Sequence, residues 1–302
     1  MNKSKIIILS LSFIFASLLS LFTSCNNNEK QENESLNNDT VSKNSGKVLN
    51  VKGKLFGIPS PFQISFLVQK LNLPFEKDIL SSTQNLNKYK SDFQKSLNLG
   101  VYGADLAYVV LFEKNQDALG YLTATKKLAE DLGISSAFDN RLMDRIYKNI
   151  SNKDSVLILS SAAYRSGNSL LRSNQHESYI ALILSGSWIE STNITLKTYS
   201  KNQNEELLKR IGEQKQSVNN ILELLKQFET ESGFQELILG FESLKKVFEK
   251  ITYKYVFEKP ETNASTQTTT IKSKTIIEIK KEHVDEINSI TGKLREKIIN
   301  SN

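Results

Sequence analysis

Cysteine occurs once in the 302 residues, at Cys25. An intramolecular disulfide is therefore impossible, and a packed core must hold the fold. If that thiol is modified, thiol nucleophiles and thiolate metal sites are excluded too. Histidine is nearly as scarce, with only His176 and His283, which argues against a His-rich zinc or iron centre. No loop has the alternating Asp and Asn of an EF-hand, and no P-loop or dinucleotide fingerprint is present. No metal and no cofactor is expected. Proline stands only at Pro59, Pro61, Pro74 and Pro260. The proline-free stretch from Phe75 to Lys259 is rich in Leu, Lys, Glu, Gln and Ala and favours helix throughout. Charge of one sign is lacking as well: 39 Lys and Arg face 33 Asp and Glu. The signs alternate along helical segments, as on solvated helix faces, and give no nucleic-acid footprint. No fixed repeat period emerges, which excludes a tetratricopeptide-type array.

One apolar run is present, and it lies at the start. Lys3 and Lys5 precede Ile6 to Phe22, and Leu21-Phe22-Thr23-Ser24 leads into Cys25. A basic start, an apolar middle and a small residue before the cut describe a secretory signal peptide over residues 1–24. The run is short of the ~20 residues of a membrane span and is diluted by serines. A cysteine directly after the small residue resembles the lipobox of bacterial lipoproteins. That resemblance implies cleavage before Cys25 and acylation of its thiol and amino group, with palmitate as one acyl chain. Loss of Lys3 and Lys5 lowers the net charge from +6 to about +4. Residues 25–47, from Asn26 onward almost wholly polar, lack the apolar side chains to form a core and read as a disordered tether.

Residues 48–302 read as a single helical domain, a multi-helix bundle of roughly eight helices with a small β-hairpin near the C-terminus. Ser60-Pro61-Phe62-Gln63 has the N-cap, N1 proline and capping-box glutamine of a helix start. Ile64, Leu67, Val68 and Leu71 follow on one face, and Pro74 ends the segment. Further stripes run through Ala118, Leu122, Thr125, Ala129 and Leu132, with Gly133 as the stop. Others run from Leu207 to Phe228, from Phe234 to Ile251, and from Val284 to Ile298. Three segments are apolar around most of their girth and should be central: 98–112, 154–171 and 179–190. Gly100, Gly103, Gly167 and Gly186 weaken these helices, a cost offset where backbones approach closely. Beyond Pro260, Glu261 to Thr270 reads as a polar loop. Ile271 to Ile279 reads as a strand that can pair with Tyr253 to Phe257.

The candidate binding residues are Tyr102, Asp105, Tyr108, Trp188 and Glu190. Tyr102, Asp105 and Tyr108 share one helix face by their spacing of three. A carboxylate in that apolar helix must be paired or protonated, with Arg141, Arg145 or Arg165 as possible partners. Trp188 and Glu190 could form an aromatic wall and a carboxylate for a sugar or a cation. The bland reading of all five is core packing and a polar staple. His176 reads as an interhelix turn residue. Ser160, Ser161 and Ser185 lack the setting of a nucleophile elbow, and no catalytic residue is assigned.

Gly57-Ile58-Pro59-Ser60-Pro61, the block from Asn98 to Tyr108 and Gly186-Ser187-Trp188-Ile189-Glu190 resemble an uncharacterised family of helical lipoproteins from Bacteroidota. The resemblance covers most of the chain after the tether. It implies export and lipid anchoring in the cell envelope, at the outer membrane, and implies no activity. The expected function is a non-catalytic, lipid-anchored binding or scaffold module, joined to a membrane through acylated Cys25 and open to an envelope protein partner. Two alternatives stand. One is a hydrolase of envelope polysaccharide using Asp105 and Glu190; the other is a carrier of an apolar ligand. Oligomeric state and leaflet stay open.

Overall fold

Two glycines decide how the central helices meet. Gly100 lies in α2 (Asp92–Leu111) and Gly186 in α4 (Glu177–Asn202). A methyl group on Gly100 would sit 2.0 Å from the Ile183 carbonyl oxygen, and one on Gly186 would sit 2.0 Å from that of Leu97. The missing side chains let the two backbones touch, and α2 and α4 form the largest interhelix contact among the described residues. Gly103 differs from the expectation: nothing lies within 4 Å of its missing methyl. It faces away from the seam.

The computed structural model describes residues 48–51, 54–57, 61–135, 176–263 and 265–300, with isolated positions between 145 and 155. The signal, Cys25, the tether, Ser60, Arg141, Arg165, Gly167 and most of segment 154–171 lie outside the described residues. Strands β1 (Val48–Val51) and β2 (Lys54–Gly57) pair first. Helix α1 (Pro61–Lys70) follows, then α2, α3 (Asn115–Asp131), α4, α5 (Glu205–Gly212), α6 (Lys215–Leu225) and α7 (Phe234–Glu249). After β3 (Thr252–Val256), β4 (Glu261–Asn263), β5 (Thr268–Thr270) and β6 (Lys274–Glu278), α8 (Lys281–Ile299) closes the chain. The fold is mostly α, with eight helices among the described residues and only paired two-stranded sheets.

The stripes read from the sequence are the buried faces. Ala118, Leu122 and Ala129 of α3, Phe234, Phe241 and Phe248 of α7, and Val284, Ile287 and Leu294 of α8 all sit in one core cluster. Gly133 does stop its segment, with φ +69°. α2 opens with a full capping box between Ser91 and Gln94. No described helix is long and apolar enough to cross a membrane.

Two expectations need correction. Helix does not run on after α1: residues 75–91 form only short 3-10 turns, Lys77–Ile79 and Thr83–Lys88, joined by irregular backbone. Absence of proline permits a helix but supplies no amphipathic face, and here buried side chains compete for the backbone. Segment 261–270 is not a plain loop either. β4 pairs with β5, and the Thr262 and Thr269 hydroxyls meet at 3.1 Å. Threonine's β-branched shape favours this extended pairing.

Candidate functional site

One face of α2 carries Asn98, Tyr102, Asp105 and Tyr108, spaced as successive helical turns in an otherwise apolar helix. All four are fully buried. Buried polar groups need partners, and the irregular segment 75–91 provides most of them. Asp105 Oδ2 accepts from the Ser81 amide at 3.1 Å. The Tyr102 hydroxyl donates to the Ser82 carbonyl at 3.0 Å and meets the Tyr89 hydroxyl at 3.3 Å. The Tyr108 hydroxyl accepts from the Glu76 amide at 3.2 Å, with Phe75 stacked on its ring. Asn98 turns the other way and donates to the Ile298 carbonyl at 3.0 Å, covering the last turn of α8.

Glu190 approaches from α4 and Arg295 from α8. The guanidinium grips the carboxylate bidentately, with Nε to Oε2 at 2.5 Å and Nη2 to Oε1 at 2.9 Å. The same Nη2 donates to the Ile79 carbonyl and to Ser81 Oγ at 3.0 and 2.9 Å. Tyr121 of α3 donates to the Ser81 carbonyl at 2.7 Å. Asn193, one turn beyond Glu190, donates to the Ile79 carbonyl at 3.4 Å. Ser81 thus has its amide, carbonyl and hydroxyl all engaged, by residues from α2, α3 and α8. A strap without α-helix lies over the bundle and dips into it at Ile79, Ser81 and Tyr89, where side chains in place of water satisfy its backbone.

Asp105 carries the chemical tension of this cluster. Burial raises its pKa well above the ordinary carboxylate value, and the Glu190 charge adds to the rise. Arg295 and the Ser81 amide oppose both without cancelling them. A hydrogen bond to Glu190 also favours the protonated form, since only a protonated Asp105 can donate it. Asp105 Oδ1 accepts from no donor. Burial works against the Arg295 charge, but the Glu190 charge and hydrogen bonds, joined by Asp105, outweigh it and raise its pKa. Burial pushes the Tyr102 and Tyr121 hydroxyls well upward and Tyr108 up to about 12, so all three stay neutral. The cluster can hold one proton at Asp105 and one ion pair, Glu190 with Arg295.

The structure brings Asp105 and Glu190 together, with Tyr102 beside them. Tyr108 lies a turn away in a second apolar cluster with Val68, Ile194 and Leu207. Trp188 does not join them. Two residues before Glu190 on a helix means about 200° around the axis, and Trp188 points to the far side, where its Nε1 donates to Gln214 at 3.2 Å. Its ring packs on Phe241. Glu190 and Asp105 have no exposed surface, and Trp188 is 5% exposed, so the five residues line no common open concavity. Of the arginines named from the sequence, Arg141 and Arg165 lie outside the described residues; among the described residues Arg295 pairs with Glu190. Arg145 is exposed, and Arg295 takes the role. Its signal was available: Arg295 directly follows Leu294 and lies three residues before Ile298, beside the apolar stripe of α8. Ser81, Tyr89, Tyr121 and Asn193 gave no such signal. His176 stands at the N-cap position of α4, makes no side-chain capping hydrogen bond there, and stacks on Tyr179. No group of acidic, histidine and cysteine residues able to hold a metal occurs among the described residues.

The chain matches no protein family, no curated protein and no solved structure.

Proposed function

We propose that this protein is a non-catalytic lipoprotein of the cell envelope, held at the outer membrane by acylated Cys25 and presenting a rigid helical body to an envelope partner. The anchor rests on the order of Lys3, Lys5, the apolar run and the Ser24-Cys25 step. The likeness to a Bacteroidota lipoprotein family belongs to the same proposal and rests on the three quoted blocks. For the non-catalytic part, one observation carries the reading. The two carboxyl groups that a hydrolase would use are sealed, and their partners are the chain's own Ser81 amide and Arg295. A carboxylate pair for glycoside hydrolysis must flank a substrate bond, and groups without exposed surface meet no substrate.

The test is metabolic labelling with an alkyne-bearing palmitate, followed by membrane flotation. The parent chain takes up label and floats with outer-membrane markers. Cys25→Ser loses the label and accumulates as the longer, uncleaved form. Equal labelling of the two chains overturns the anchor.

A further inference from the structure

Among the described residues, six large apolar side chains are exposed, and four of them lie within 22 residues of the β-ribbon: Tyr255 (65% exposed), Phe257 (70%), Ile271 (72%) and Ile276 (41%). The ribbon's root is fixed. Tyr253 donates to the Gly212 carbonyl at 2.7 Å, and its cross-strand partner Ile277 packs on Gly212. Beyond the root, the same face continues as Tyr255 opposite Thr275, where Tyr255 is exposed. The opposite face sets Lys254 across from Ile276 and Lys274 across from Val256. Among the described residues neither lysine has a carboxylate within 4 Å, whereas Lys272 is held by Glu261 at 2.5 Å. Exposed aromatic and aliphatic groups beside uncompensated lysines suit the boundary between acyl chains and anionic headgroups. There the rings enter the interface while the ammonium groups reach out to phosphate.

We propose that this ribbon is a second membrane contact, which lays Tyr255, Phe257 and Ile271 into an anionic lipid surface. The inference rests on the anchor reading above, because the anchor brings the surface within reach. Residues 25–47 span at most about 80 Å when fully extended. That segment enters the body at β1, whose paired strand β2 packs on α6, while β6 of the ribbon packs on α5, the helix that precedes α6 in the chain. The ribbon therefore leaves the body close to where the chain from Cys25 enters it. A tethered surface acts at a high effective concentration, so a contact too weak to recruit the protein alone suffices to orient it.

The experiment places a tryptophan on the ribbon of the full acylated chain. Phe257→Trp is compared with Leu239→Trp, which marks another exposed apolar position, 60% exposed on α7. Buried Trp188 contributes equally to both and cancels in difference spectra against the parent. Each protein is reconstituted in vesicles of phosphatidylcholine with phosphatidylglycerol, with and without brominated acyl chains. The proposal expects a blue shift and strong bromine quenching at position 257, none at 239, and a several-fold loss of quenching in Lys254→Glu with Lys274→Glu. Equal quenching at 257 and 239 overturns it. So does a lipid-independent blue shift that grows with protein concentration, which would mean that a second copy covers the ribbon. Intact mass of the same samples reports acylation on a separate channel. Quenching at 257 in a chain without acyl groups keeps the ribbon contact and removes the anchor; acylation without quenching does the reverse.

Discussion

Asp105 is the residue whose state responds to pH. Its pKa in the fold is raised, while in the unfolded chain it lies near 3.9. Below about pH 4 both states are protonated and the residue adds no pH dependence. Above that, the unfolded chain releases the proton while the fold keeps it, so stability declines until pH passes the folded value. Asp105→Asn should remove this decline, since an amide accepts from the Ser81 amide and donates to Glu190 without a charge. The Tm of the parent should fall from pH 4 to pH 8 more steeply than that of Asp105→Asn, and differential scanning calorimetry across that range checks it. Arg295 is the counterpart. Arg295→Met leaves Glu190 buried and unpaired, at a cost of about 3–5 kcal/mol. Adding Glu190→Gln should restore part of the loss, as read by urea denaturation. A variant pair with no recovery would mean that Arg295 acts mainly through the Ile79 and Ser81 contacts.

At the scale of elements, the α2–α4 seam and the strap over it divide the work. The seam is set by backbone proximity, so Gly186→Ala forces a methyl onto the Leu97 carbonyl. A loss of about 1–3 kcal/mol is expected. Gly103→Ala, in α2 but facing open space, should gain about 0.5–1 kcal/mol from helix propensity alone. Equilibrium unfolding of the two variants side by side tests whether contact or propensity governs each glycine. The strap, residues 75–91, has no such intrinsic preference. Its conformation is held by Asp105, Tyr102, Tyr121 and Arg295 from three helices. Single losses there should couple instead of adding.

Across the molecule, protection from exchange should follow this hierarchy. Amides of α2 and α4, packed on both flanks, should exchange only by global opening. Amides of β4 and β5, whose side chains are all exposed, should exchange fastest among the paired strands. Hydrogen exchange with mass spectrometry reads both, and comparable protection of the two regions would contradict the layered stability described above.

Sequence alone determined the fold class, the buried stripes, the glycine stop at Gly133 and the C-terminal strand pairing. All of these follow from local periodicity and local backbone preference, which a chain carries within a dozen residues. The same spacing put Tyr102, Asp105 and Tyr108 on one face. Only the tertiary structure decided that Arg295, 105 residues from Glu190, closes the charge balance and that Trp188 faces elsewhere. It also decided that residues 75–91 forgo helix. The reason is physical: ion pairs and backbone capping depend on which groups meet in space, and that meeting is fixed by packing between distant segments, not by anything their neighbours in the chain encode.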